Sequence, residues 1–388
     1  MKILMVNVPF SGHVNPTLAL ASELTKRGHS VSYILTKDWK DRVEESGAEF
    51  IPYIGHEEYG ITFRKGKPAN IWKALKAWRY VYDSIVAVGS DYDLLIYEFF
   101  TYTAYAAARK IGIKVVRQFS TFALNSGITA EVLQSSNLEI KLMKNDFFMK
   151  VISKIACGKI KLTTGNIISE IANTPVDLNI VYTTSEFQIN SEAFDESYLF
   201  VGPAIAPRKI NLVIPYGQMQ GKIIYISLGT LQNEKKELYR KFMEAFAHVE
   251  GISVIMSVGY HTDINELGEI PHNFFIYSFV PQLDVLKHSQ IFITHGGMNS
   301  VNEGLYYQNK LLVIPMDMDQ FSVADRVEEL GVGYQLKEKR LDSKLIFDKI
   351  KKLEKDSQIE MRVKSMSQHM RDAGGVVMAA DKIEKLVE

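Results

Sequence analysis

The sequence predicts an α/β protein built from two doubly wound parallel sheets in tandem. Three observations carry that prediction. Short β-branched runs alternate with amphipathic runs from the first residues onward, which argues for parallel strands wrapped by helices. The alternation then lapses and restarts near residue 222. Between the two series lies a stretch with Pro203, Pro207, Pro215 and Gly217, the composition of a domain boundary.

In the first series Ile3–Val8, Val31–Leu35, Leu94–Tyr97 and Ile113–Arg117 read as strands, and residues 16–27 and 101–110 as helices. Asn15 is placed as N-cap of the first helix, Pro16 as its first residue and Gly28 as its C′ residue, which leaves His13 in a loop. In the second series the strands are Lys222–Ser227, Ser253–Ser257, Phe274–Tyr277, Ile291–Thr294 and Leu311–Ile314, with a helix over 234–248. The tail from about 342 is helical, broken at Ala373-Gly374-Gly375. Domains are expected over 1–205 and 218–370.

Composition narrows the function classes. The 388 residues carry 45 Lys+Arg against 45 Asp+Glu, so nothing favours a nucleic-acid or anionic-membrane partner. A single cysteine, Cys157, excludes an intramolecular disulfide and a cysteine-based zinc site, and fits a reducing, cytoplasmic setting. No apolar run is long enough to span a bilayer, so no integral membrane association is expected. The apolar start is interrupted by Asn7 and Pro9 and reads as a first strand.

Several residues stand where such sheets bind ligands, beyond the C-terminal ends of the strands. His13 follows the first strand, and histidine suits proton removal from a hydroxyl at neutral pH. Glu98 ends the Leu94–Tyr97 run and can pair with it. Ser227-Leu228-Gly229-Thr230 ends the first strand of the second half with a glycine and two hydroxyls. His295-Gly296-Gly297-Met298-Asn299-Ser300 joins a strand to a helix, whose first amides form a ready anion site. Glu303 lies one turn into that helix, and Asp319-Gln320 follows the Leu311–Ile314 strand and Pro315, a carboxylate and an amide suited to sugar hydroxyls. Residues 56–85 and 118–170 are rich in aromatics, among them Tyr59, Phe63, Trp72, Trp78, Phe119, Phe122, Phe147 and Phe148. They read either as core or as the wall of an apolar pocket.

With these residues in register, the chain resembles the family 1 UDP-glycosyltransferases of GT-B fold. The donor signature runs from Phe279-Val280-Pro281-Gln282 through Val285-Leu286, His295–Ser300, Glu303 and Pro315 to Asp319-Gln320. Gly12-His13-Val14-Asn15-Pro16 and Ala373-Gly374-Gly375 match as well, and the Asn-Pro pair points to the bacterial macrolide-glycosyltransferase subgroup. The resemblance implies two Rossmann-like domains facing a cleft, with the last helix, 376–388, packing back on the first domain. It implies His13 as general base, oriented by Glu98. Phe279 would stack on the nucleobase, with Val280 beside it. Gln282 would contact base or ribose, and Glu303 would hold the ribose hydroxyls. Ser227, Gly229, Thr230, His295, Gly296, Gly297, Asn299 and Ser300 would surround the diphosphate, and Asp319 and Gln320 the transferred sugar.

The implied reaction is inverting transfer of a hexose, first of all glucose, from a UDP-sugar to a small hydrophobic hydroxylated acceptor. A macrolide, a flavonoid or another natural product would fit. No cofactor or metal is expected, and the protein is expected as a monomer or weak dimer. The competing readings are a GT-B sugar epimerase, a transferase of lipid-linked intermediates and a non-catalytic nucleotide-sugar-binding helper. Two departures from the family pattern stand out. Glu98 replaces the usual Asp, and Gln308-Asn309-Lys310 replaces Gly-Val-Pro. The second loses a helix-ending glycine, although Asn309 can itself take the left-handed conformation, and predicts an altered turn with no lost activity.

Overall fold

The architecture is that of a computed structural model, which describes residues 1–55, 68–125, 127–129, 145–206, 211–229, 235–317 and 319–387. The chain divides into two compact units, Met1–Ala204 with Gly374–Glu388, and Ile205–Ala373.

The first unit holds a seven-stranded sheet: β1 (Lys2–Val6), β2 (Ser30–Leu35), β3 (Glu49–Pro52), β4 (Leu94–Glu98), β5 (Lys114–Phe119), β6 (Leu178–Val181) and β7 (Tyr198–Phe200). Their order is β3-β2-β1-β4-β5-β6-β7 and every pairing is parallel. β1, β4 and β5 are buried almost throughout, as expected for strands covered by helices on both faces. β3, β6 and β7 escape the sequence pattern. β3 and β7 are short edge strands, and β6 carries the polar Asn179, which accepts from the buried Arg117 at 2.8 Å.

The first helix spans Ser11–Lys26 and corrects the expected 16–27. Its N-cap is Phe10, and Pro16 lies inside it. His13 therefore sits in the first helical turn, not in a loop. Asn15 does not cap, and its Oδ1 is buried with no hydrogen-bond partner among the described residues. The early start has a physical source in the fully buried Asn7. Its Nδ2 donates to the His13 carbonyl at 2.9 Å and to Thr17 Oγ1 at 2.9 Å, tying the strand end to the new helix. At the other end Gly28 adopts φ +87° and closes the helix as expected, with its N–H on the Thr25 carbonyl and that of His29 on the Leu24 carbonyl.

The final helix, Gly375–Val387, packs on the first. Arg27 donates to Asp381 at 2.7 Å and Glu384 at 2.8 Å, and His29 Nε2 lies 2.8 Å from Glu384. The Gly375 N–H reaches the Val201 carbonyl.

The second unit holds six parallel strands: β8 (Lys222–Ser227), β9 (Ile252–Ser257), β10 (Phe274–Tyr277), β11 (Ile291–Thr294), β12 (Lys310–Val313) and β13 (Gly333–Gln335). Their order, β10-β9-β8-β11-β12-β13, is the doubly wound arrangement.

The turn before β12 differs from expectation. Gln308, not Asn309, is left-handed, with φ +63°. It closes the helix Met298–Tyr306, its N–H on the Leu305 carbonyl and that of Asn309 on the Gly304 carbonyl. Asn309 is fully buried instead. Its Nδ2 donates to the Leu286 carbonyl at 2.8 Å, and its Oδ1 accepts from Ser289 at 2.6 Å. A side chain with those obligations cannot also serve as the adaptable turn residue. Gln308→Gly should remove a left-handed strain of about 1–2 kcal/mol and cost about 0.5–1 kcal/mol in unfolded-chain entropy. The urea midpoint of the variant is expected to equal or exceed that of the parent, and that of Gln308→Val to fall below it.

Candidate active site

In each unit the strand order reverses between two central strands, and the connections leave them in opposite directions. The crevice lies at their C-terminal ends. In the first unit these strands are β1 and β4, with Val6 opposite Tyr97. β1 delivers His13 and β4 ends on Glu98. In the second they are β8 and β11, with Ser227 opposite Thr294, so Ser227 and His295 emerge side by side.

His13 Nδ1 lies 2.7 Å from Glu98 Oε1. Ser120, just beyond β5, completes a triangle: its Oγ is 2.9 Å from His13 Nδ1 and donates to Glu98 Oε1 at 2.9 Å. The other oxygen, Oε2, accepts from the Phe100 amide at 2.8 Å. Glu98 is fully buried, and both carboxylate oxygens accept hydrogen bonds, as burial of a charge demands. The extra methylene relative to Asp does not prevent the contact. Phe10, Phe99 and Phe100 surround the imidazole at 6.0, 6.0 and 5.7 Å between ring centres. The His13 side chain remains 24% exposed. With Nδ1–H directed at the carboxylate, the ring's basic lone pair is on Nε2.

Ser120 and Asn7 were not singled out in the sequence. Ser120 carries no local signal: only the pairing of β5 with β4, with Gln118 opposite Glu98, puts it just past the same edge. The aromatic segments divide between the two readings. Trp78, Phe119 and Phe122 are buried, whereas Phe147 is 79% exposed and Phe148 37%. Tyr59 and Phe63 lie outside the described residues, as does the side chain of Trp72.

In the second unit Gly296, at φ +89°, and Gly297 lead into the helix Met298–Tyr306. Gly297 is its N-cap, with no side-chain cap and no acidic residue in the first turn, so Met298, Asn299 and Ser300 present their amides at a helix N-terminus. The His295 ring fills the space between two glycines: a Cβ on Gly229 or on Gly297 would stand 2.7 Å from it. A Cβ on Gly296 would meet Val313 at 2.7 Å. Thr230 lies outside the described residues.

Gln282 and Glu303 are brought together. Gln282 Nε2 donates to Glu303 Oε2 at 2.6 Å, and its Oε1 accepts from the buried Tyr225 hydroxyl at 3.1 Å. Val280 is buried and Phe279 half-buried. Gln320 uses its Oε1 to accept from the Met316 amide at 2.9 Å and the Asp317 amide at 3.1 Å, which holds the loop after β12. Its Nε2 is thus the end suited to a sugar oxygen. Asp319 precedes the helix Gln320–Glu329 and makes no side-chain cap.

Paired doubly wound units of this kind define the GT-B class of glycosyltransferase. The model of the family described as UDP-glucoronosyl and UDP-glucosyl transferase matches residues 67–373, and that of the glycosyltransferase family 28 N-terminal domain matches residues 11–117. The chain is 34% identical to the NDP-glycosyltransferase YjiC of Bacillus licheniformis, over 98% of this chain and 96% of that protein. It is 25% identical to the oleandomycin glycosyltransferase of Streptomyces antibioticus, over 98% and 90%. The solved structure of the glycotransferase of kitacinnamycin aligns with a TM-score of 0.86 at 25% identity, covering 100% of this chain and 99% of that one. The chain belongs to the UDP-glucoronosyl and UDP-glucosyl transferase family, in its macrolide-type subgroup.

Desolvation pulls the pKa of His295 down to about 4, against the opposing effect of a hydrogen bond with the Ser227 backbone. Above that value the ring is uncharged. A folded-state value below the unfolded one gives stability that is complete above the unfolded value of ~6.5 and lost as pH falls towards 4. Between pH 6.5 and 4 the thermal midpoint of the parent should therefore fall more steeply than that of His295→Gln. Parallel curves would contradict the assignment.

Proposed function

We propose that this enzyme transfers a hexose, first of all glucose, from a UDP-sugar to a hydroxyl of a small hydrophobic acceptor, with inversion at the anomeric carbon. The observation that carries the reading is the 2.7 Å contact between His13 Nδ1 and Glu98 Oε1, which fixes the tautomer a general base needs. The acceptor oxygen attacks C1 of the sugar as the C1–O bond to the diphosphate breaks. UDP leaves, and the acceptor proton passes to Nε2 of His13. Glu98, fully buried and held by Ser120 and the Phe100 amide, stabilises the imidazolium as it forms.

The donor falls to the second unit. The amides at the start of the helix Met298–Tyr306 suit the diphosphate, with His295 and Ser227 beside them. Phe279 offers a ring to the base, Glu303 a carboxylate to the ribose hydroxyls, and Asp319 and Gln320 polar groups to the sugar. The relatives support the acceptor class: oleandomycin and kitacinnamycin appear in the names of two similar glycosyltransferases. The apolar surface of Phe147 and Phe148 in the first unit suits a hydrophobic partner. A cytoplasmic monomer or weak dimer is consistent with this role. No helix among the described residues is long and apolar enough to cross a membrane.

UDP release from UDP-glucose in the presence of a macrolide and phenolic acceptor panel, with product mass shifts, tests the activity. His13→Ala should lower turnover at least ~10²-fold with donor binding nearly unchanged, the scale of general-base catalysis. Glu98→Gln should lower turnover while leaving the fold intact, as its circular dichroism checks. Near-normal turnover of the His13 variant would rule the base out.

The diphosphate charge has backbone amides to meet it, so a divalent ion is not required. Activity should persist in excess EDTA. Complete loss in EDTA, restored by Mg²⁺ or Mn²⁺ and abolished by Asp317→Ala, would instead make Asp317 and Asp319 metal ligands.

A further inference from the structure

The C-terminal ends of β9 and β10 carry an aromatic pair whose outer member the donor signature does not include. Beyond the strands the chains stay in register, with the Val258 N–H on the Tyr277 carbonyl and the Gly259 N–H on the Ser278 carbonyl, both at 2.9 Å. Gly259 then turns at φ +76°, a conformation that favours glycine. That turn lays Tyr260 on the face of Phe279, the rings stacked at 4.8 Å between centres and 21° between planes.

Tyr260 is 78% exposed, and its hydroxyl has no hydrogen-bond partner among the described residues. A large aromatic ring left in water gains little from such a place unless something covers it. Its stacking on Phe279 is also its only ring contact among the described residues. The pair is therefore easily parted, and its outer ring is already oriented for stacking.

We propose that Tyr260 is a nucleobase-binding residue, and that the base of the donor enters between Tyr260 and Phe279, one ring on each face. This rests on the reading of Phe279 as the base-stacking residue. Stacked π systems lie ~3.5 Å apart, so admitting a base moves Tyr260 outward by about one ring thickness. The Tyr260 ring is replaced on Phe279 by the base and then closes over it. Two faces of contact recognise a planar pyrimidine through stacking, which every base can provide, and leave the choice among bases to their edges.

Titration calorimetry with UDP and with inorganic pyrophosphate separates the possibilities. Tyr260→Ala should raise the Kd for UDP about 5- to 30-fold, within the range for loss of one base–aromatic stack, and leave that for pyrophosphate unchanged. Tyr260→Phe should bind UDP as the parent does, because the ring and not the hydroxyl is used. Tyr260 is exposed, so these variants should fold, which their thermal midpoints check. Unchanged or tighter UDP binding in Tyr260→Ala, with weaker binding in Phe279→Ala, would overturn the role of Tyr260 and leave stacking on Phe279 standing. UDP binding unaffected by Phe279→Ala would overturn both. Equal weakening towards UDP and pyrophosphate in Tyr260→Ala would show a general distortion and also overturn the proposal.

Discussion

The reversal of strand order at the centre of each sheet is the constraint on which the candidate sites depend. β1 and β4 are hydrogen-bonded neighbours whose following segments run to opposite faces, and so are β8 and β11. Because the connections diverge there, each pair opens a crevice at its C-terminal edge. His13 and Glu98 occupy one such crevice, Ser227 and His295 the other. The doubly wound plan thus puts residues 85 positions apart within 2.7 Å of each other in the first unit.

Burial of Glu98 sets the terms in that unit. A carboxylate removed from water costs several kcal/mol unless its oxygens are met by donors. Here the imidazole, the Ser120 hydroxyl and the Phe100 amide meet them. Phe99 and Phe119, stacked at 5.2 Å beneath, belong to an apolar cluster with Ala123 and Val181 that keeps this end of the sheet dry. The histidine and carboxylate consequently form one unit with the protein around them. Asn7 extends that unit to the backbone, because its amide holds the His13 carbonyl while its own oxygen accepts from the Val8 N–H at 2.7 Å.

The second unit solves a different problem with the same topology. Its proposed donor site is built on backbone amides at a helix N-terminus, where close packing calls for small residues. Gly229 and Gly297 leave room for the His295 ring, and Gly296 provides both the positive φ and the clearance from Val313. Packed in this way, the imidazole stays neutral at physiological pH.

Much of this was legible in the sequence. The central strands were, because burial on both faces demands unbroken apolar runs. So were the glycine-rich segment joining a strand to a helix at His295–Ser300, and Gly28 as a helix stop. The pairing of His13 with Glu98 was a matter of two strand ends on one edge. Other features depended on contacts distant in sequence. Asn15-Pro16 carries every local mark of a helix start, yet the helix begins at Ser11, because Asn7 and the buried strand end hold the preceding turn. Asn309 has the local propensity for the left-handed turn, but Ser289 and the Leu286 carbonyl claim its side chain, and Gln308 takes the strain. Ser120 became visible only when β5 lay beside β4, and Tyr260 only when β9 lay beside β10. Local sequence determined which residue types stand at strand ends. Strand order and register decided which of them meet, since partners tens of residues apart leave no periodic trace in the chain.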